Sequence, residues 1–257
     1  MSSSNNSEAK VFACLCLGVV FGIVAFFRGF QIRTKRKLIE NIPTSTVRGL
    51  AMGLVEVKGK ARQFQDLLTS DFARATCVFY HYKVEEYRNS GRSGHWVTLA
   101  EYSSPQCFYL EDETGKVLVD PARAEFHVHP DRRYSSGLGG KDKADFFTAL
   151  EALGIEAKNF IGFEKSLRCE EAYIVPGDDL YVLGTARENP YVSGSATGSD
   201  NVCIGAEAGN VFLISDESEK HVLGEFGGRM FLALYGGPAL TVVCLFILIG
   251  HFFKHMF

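Results

Sequence analysis

Two uninterrupted apolar runs frame this chain, and most of what lies between them alternates apolar and polar residues with a period of two. The first run, residues 11–27, reads VFACLCLGVVFGIVAFF. The second, residues 230–253, reads MFLALYGGPALTVVCLFILIGHFF and carries no fixed charge. Its only clearly polar side chains are Thr241 and His251. A helix needs about 20 apolar residues to cross a hydrocarbon core, and backbone out of reach of water must bond to itself. The pattern therefore predicts two transmembrane helices, at 11–30 and 230–253, after a polar tail at 1–10. No small-residue cleavage site follows the first run and a basic cluster does, which favours an uncleaved anchor over a signal peptide.

Between the runs, residues 42–226 read as one soluble domain. Val55 and Val57 alternate with Glu56 and Lys58, predicting a strand over 53–62. Residues 77–88, CVFYHYKVEEYR, are aromatic and β-branched. On that strand Val78, Tyr80, Tyr82 and Val84 share one face, and Cys77, Phe79, His81 and Lys83 the other. A loop tip at 90–94 leads to a returning strand at 96–102. Residues 107–121, CFYLEDETGKVLVDP, read as a hairpin with Gly115 at a positive φ and Pro121 as the stop. A further strand is expected at 124–129, then a glycine-rich loop at 134–143.

Residues 142–153 carry the one strong helical pattern. Asp142 serves as its cap, Phe146, Phe147, Leu150 and Leu153 form an apolar stripe, and Gly154 ends it. Residues 155–167 fit neither period. A strand pair follows at 170–186, turning at Pro176-Gly177-Asp178, then a loop at 190–201, a short strand at 211–214 and the start of a helix at 217–223. Many short strands with one or two helices predict an α+β fold, mainly antiparallel β and barrel-like, flanked by two transmembrane helices.

Charge adds sidedness. Arg28, Arg33, Lys35, Arg36 and Lys37 form a basic juxtamembrane segment within 31–41 and its approach, with no acid among residues 28–39. Basic flanks stay on the cytoplasmic side, which places the domain there, and they suit anionic lipid headgroups. The net charge of −3 offers no basic field for nucleic acid. The seven cysteines form no C-x-x-C pair and no zinc spacing, as in a reducing compartment.

Candidate chemistry is sparse. His127, His129 and Asp131 could ligate a metal, but no third ligand is set by spacing. The SGLGG segment at 136–140 could cradle a phosphate but lacks a P-loop ending. Ser135 with His127 and Asp131 has no nucleophile elbow around it. Asp112, Glu113 and Asp120 read as a solvated acidic hairpin. No catalytic, cofactor or metal residue is assigned, and no cofactor is expected. Gly236-Gly237-Pro238 reads as a kink in the second run, or as a surface packed on Gly18 and Gly22 of the first. Without an intramembrane acid or lysine, a pore would require a homo-oligomer.

Three blocks carry a family resemblance: IPTSTVRGLAMGLVEVKGKA at 42–61; the 77–87 strand with Trp96 and FYLEDETGKVLVDP at 108–121; and residues 170–186, ending GDDLYVLGTA. Together with the flanking apolar runs they resemble the GIDE family, also called the Beside-A-Membrane domain, over about residues 10–250. The best-known members are mitochondrial outer-membrane ubiquitin ligases with a zinc-binding RING after the second span. Four residues follow Phe253 here, so the chain looks like the RING-less prokaryotic members. The resemblance implies a multi-pass protein of a bacterial inner membrane whose domain binds, senses or scaffolds an unidentified membrane-proximal protein or ligand. A ubiquitin-ligase-type transferase is the alternative.

Overall fold

The strand β2, Gly53–Gln63, is the spine of the domain, because it is hydrogen-bonded along both edges. The computed structural model describes residues 2–91, 93–137, 140–158, 162–192, 201–217, 228 and 231–256. In chain order its elements are α1 (Ser2–Asn41), β1 (Thr44–Ser45), a 3₁₀ turn (Val47–Gly49), β2 (Gly53–Gln63), β3 (Leu68–Thr69), β4 (Thr76–Cys77), β5 (Phe79–Ser90) and β6 (Ser93–Ser103). There follow β7 (Phe108–Asp112), β8 (Gly115–Val119), β9 (Glu125–His127), β10 (Arg132–Ser135), α2 (Gly140–Ala152), β11 (Leu167–Ile174) and β12 (Asp179–Glu188). The chain ends with β13 (Val202–Gly205), β14 (Leu213–Ser215), a π-helical turn (Leu232–Gly236) and α3 (Gly237–Met256).

β2 pairs antiparallel with β7 on one edge and with β12 on the other. β7 turns into β8, β8 runs parallel to β13, and β13 returns antiparallel to β12. The order β2-β7-β8-β13-β12-β2 closes a five-stranded barrel. A three-strand meander with a parallel closing pair is the Greek-key connectivity of OB-type barrels. Closure leaves those strands without an exposed edge on which a foreign strand could pair. Val57, Ala61, Phe108, Leu110, Val117, Val119, Val182 and Ile204 are buried in one core cluster. Leu118, between two of them in sequence, is buried in a second cluster with Cys107 and Cys203, beneath Phe64 and Tyr109. That is why β8 is apolar on both faces.

A second, fully antiparallel sheet, β10-β11-β5-β6, stands beside the barrel. One face packs on α2: Tyr80, Tyr82, Val84, Leu167 and Cys169 bury Phe146 and Leu150. The helix ends in a Schellman motif, with Gly154 at φ +70°, its N–H donating to the Glu151 carbonyl, and the Ile155 N–H reaching Leu150.

Several local expectations change. Asp142 lies in the first turn of α2, which begins at Gly140. The strands at 170–186 do not pair with each other, since β11 belongs to the second sheet and β12 to the barrel. The turn between them is real: the Asp178 N–H donates to the Val175 carbonyl, Gly177 sits at φ +105°, and the Asp178 carboxylate accepts from the Val175 N–H. It hands the chain from sheet to barrel. Gly115 is not among the glycines at left-handed φ. Its turn is held instead by Asp112, whose Oδ1 accepts from Thr114 N, Thr114 Oγ1 and Gly115 N. β13 and β10 had no sequence counterpart. The expected helix at 217–223, past residue 217, and most of the 190–201 loop lie outside the described residues.

Helices α1 and α3 belong to a separate compact unit. Two stretches are long and apolar enough to cross a membrane, Ala13–Gln31 within α1 and Leu232–Gly250, which runs from the π-helical turn into α3. The helix α1 takes in the polar lead and the basic segment along with the apolar run. At the Gly-Gly-Pro break a π-helical turn ends at Gly236, two residues before Pro238, which has no N–H to give. The same point is where the helices meet: a Cβ built on Gly237 would stand 2.7 Å from the Gly22 carbonyl oxygen. Phe21, Phe27, Leu232 and Phe246 point outward and are exposed.

Candidate functional site

The face of the second sheet that α2 leaves uncovered carries a cleft. Alternation along β5 puts Phe79, His81 and Lys83 on this face, and β11 sets Ile174, Ala172 and Glu170 directly opposite them. The chain leaving β9 arches over the pair and contributes Phe126, Val128 and Pro130, enclosing about 180 Å³. Phe126 stacks on Phe79 with ring centroids 4.4 Å apart and lies nearly parallel to the His81 imidazole at 6.0 Å. The floor is apolar and buried, since Phe79 and Ile174 are almost inaccessible.

The rim is polar. His81 Nδ1 is 2.9 Å from Ser103 Oγ, and its Nε2 lies 3.9 Å from Glu101. Burial lowers the His81 pKa below the usual histidine value, helped by the Lys83 charge and opposed by Glu101 and a backbone hydrogen bond. Lys83 and Glu170 oppose each other in register, yet they turn apart. Lys83 Nζ bonds Glu85 at 3.2 Å, and Glu170 accepts from Arg133 Nε at 3.1 Å. A cation and an anion therefore flank an apolar hole.

The residues singled out from sequence have other employment. Phe126, Val128 and Pro130 line the cleft, so the residues between them belong to the opposite parity. The His127 carbonyl accepts from Ser215 Oγ, His129 Nε2 lies 2.8 Å from Glu217, and Asp131 accepts from the Tyr173 N–H. Ser135 lies in β10, paired with Arg168 of β11. Among the described residues no group of three or more His, Cys, Asp or Glu side chains is placed to hold a metal. In the SGLGG segment, Ser136 Oγ accepts from the Leu167 N–H, and residues 138–139 lie outside the described set. Asp120 holds Arg187 at 2.8 Å.

Two buried carboxylates escaped the sequence reading. Glu171 accepts from the Phe72 N–H at 2.9 Å, the Ala73 N–H at 2.7 Å and Ser70 Oγ. Burial outweighs these bonds and raises its pKa. Glu56 takes Tyr181 Oη at 3.0 Å and also binds Thr44 Oγ1. Both sit next in sequence to apolar or charged strand residues, and only the pairing across strands reveals that they are enclosed. The domain thiols are likewise sealed: burial pushes Cys77 and Cys203 up to about 11 and raises Cys107 and Cys169.

The chain combines a mainly β domain that holds a closed barrel with two apolar helices, one towards each end of the sequence. The sequence model of the GIDE family, described as E3 ubiquitin ligase, matches residues 79–249, and the chain belongs to that family. No curated protein and no solved structure matches the chain.

Proposed function

We propose that this GIDE-family chain is a two-span membrane protein whose domain, residues Pro43–Ser218, is held at the bilayer surface as a binding or sensing module, with the His81 cleft as its receptor site. The observation that carries the reading is the cleft itself, an apolar hole with His81, Lys83 and Glu170 at its rim. Tethering raises the domain's effective concentration for membrane-proximal partners. The basic flank of α1 supports a cytoplasmic face, in a bacterial inner membrane.

The test is made in native membranes. A photo-reactive side chain at Val128 should give a discrete adduct with a partner. Release of the protein by alkaline carbonate, or the lack of any adduct, would sink the reading. Sidedness needs an introduced thiol, because Cys107 and Cys169 are buried. Glu113→Cys is exposed at a turn and should react with an impermeant maleimide only after permeabilisation.

A second reading, ubiquitin transfer, is favoured by the family description. Thioester chemistry needs an accessible thiolate, whereas the four domain thiols are buried with raised pKa values. Such a ligase would therefore work by holding a charged conjugating enzyme. An in vitro ubiquitylation assay on the full chain separates the two readings.

A further inference from the structure

Resting on that reading of the cleft as a receptor site, we propose that it takes a single large apolar side chain presented between a positive and a negative group. That is the chemistry of a free apolar α-amino acid, or of an apolar residue flanked by an acid and a base in a polypeptide. Size, floor and rim each narrow the choice. At about 180 Å³ the cavity falls below the ~300 Å³ at which drug-sized ligand pockets begin, so a nucleotide or a long acyl chain does not fit. The floor of Phe79 and Ile174, with Phe126 stacked on Phe79, presents no hydrogen-bonding group and favours burial of an apolar side chain.

The rim supplies the selectivity. Lys83 and Glu170 face each other in register across β5 and β11. Opposite charges so placed ordinarily pair with one another. Here each is turned to a neighbour on its own flank, Lys83 to Glu85 and Glu170 to Arg133, so the gap above the apolar floor stays open. A ligand carboxylate meets Lys83 and a ligand ammonium meets Glu170, with the apolar group pointing down between them. A ligand with one charge sign would satisfy one side of the rim and oppose the other.

Isothermal titration of the full chain in nanodiscs tests this with two probes, L-phenylalanine and acetyl-Glu-Phe-Lys-amide. Saturable binding of at least one is expected, weakened at least tenfold in both Lys83→Met and Glu170→Gln and lost in Phe126→Ala. Arg88→Gln, away from the cleft, should leave binding unchanged, and matching thermal melts confirm that the variants fold. Binding of both probes, or of the free amino acid alone, supports the small-molecule source; binding of the peptide alone supports the polypeptide source. No saturable binding of either, or binding in Lys83→Met or Glu170→Gln as tight as in the parent chain, overturns the proposal. The module reading then still stands or falls on the membrane adduct at Val128, which uses neither probe.

Discussion

Gly22 and Gly237 face each other with their α-carbons turned toward one another's carbonyls. A Cβ on Gly22 would come within 2.6 Å of the Gly237 oxygen, and one on Gly237 within 2.7 Å of the Gly22 oxygen. Backbones approach this closely only where neither residue has a side chain, and reciprocal Cα–H···O contacts then become available.

The two helices can be locked along the same seam. A Cβ on Gly18 would lie 3.8 Å from Cys244 Cβ, the usual spacing in a disulfide. Gly18→Cys, with Cys14 and Cys16 replaced by serine, should form an intramolecular disulfide with Cys244 under mild oxidation. After proteolysis within the domain, the two terminal fragments should stay linked until reduced. Adding Gly22→Leu should cut the linked yield severely. An unchanged yield would mean that the seam is not where these helices meet.

Asp112 joins two parts of the domain distant in sequence. Besides capping its own turn, its Oδ2 accepts from the Val47 N–H at 2.8 Å, and Thr114 Oγ1 accepts from the Arg48 N–H at 3.0 Å. Burial works against the ionised carboxylate, but the bonds from Thr114, Val47 and Gly115 prevail and lower its pKa. Asp112→Ala should lower stability by about 2 kcal/mol and raise amide exchange at Val47 and Arg48 while sparing β5. For a lowered carboxylate the stabilisation is present above the unfolded pKa and is lost as pH falls through the folded value. The substitution should therefore matter less in acid, as read from urea midpoints at neutral pH and near pH 3.

Glu171 has the opposite sign. Its raised folded pKa means that its contribution is greatest below the ordinary carboxyl range and is lost as pH rises through the folded value. Glu171→Gln must set an amide NH₂ against either the Phe72 or the Ala73 N–H. Chemical denaturation should show a loss of about 1–3 kcal/mol, larger at pH 5 than at pH 8. An equal loss at both would contradict the buried, proton-retaining carboxyl.

His81 makes the cleft sensitive to acid. Its folded pKa is lowered, so the stability it favours is complete above the unfolded value near 6.5 and falls away as pH drops through the folded one. The charged groups facing it are Glu101 on β6, Lys83 on its own strand and Glu170 on β11; Phe126 covers it from β9. His81→Gln should flatten the thermal melting profile between pH 7 and 5. A profile as steep as that of the parent chain would place the titration elsewhere.

Periodicity made individual strands legible in the sequence, and it could not say which strand lies beside which. The strand expected at 53–62 is β2 almost to the residue, and the 107–121 hairpin is β7–β8. A good turn makes the 170–186 strands look like neighbours in the sequence, yet each has a partner more than 80 residues away, as Leu167↔Glu86 and Val182↔Val57 show. The face of β5 bearing Phe79, His81 and Lys83 was assigned correctly. Cys77 left it because β4 and β5 are separate strands, and it joins the cluster under α2 instead. In 126–131 the two histidines are the conspicuous residues, while the parity that lines the cleft is that of Phe126, Val128 and Pro130. Alternation contained that choice, but nothing local says which parity faces inward.

The closed barrel also sets a timetable for synthesis. Tyr181 meets Glu56 across 125 residues of sequence, and the parallel pair that completes the ring waits for β13 at Val202–Gly205. At the general rate of 5–20 residues per second, roughly ten to forty seconds pass between the start of translation and the appearance of that strand. From the completion of β8 at Val119 until then, β2, β7 and β8 form a meander with open edges. The nascent chain is thus exposed to mispairing while its first apolar helix is already made. A cell expressing it has reason to shield the half-built meander until the last strand arrives.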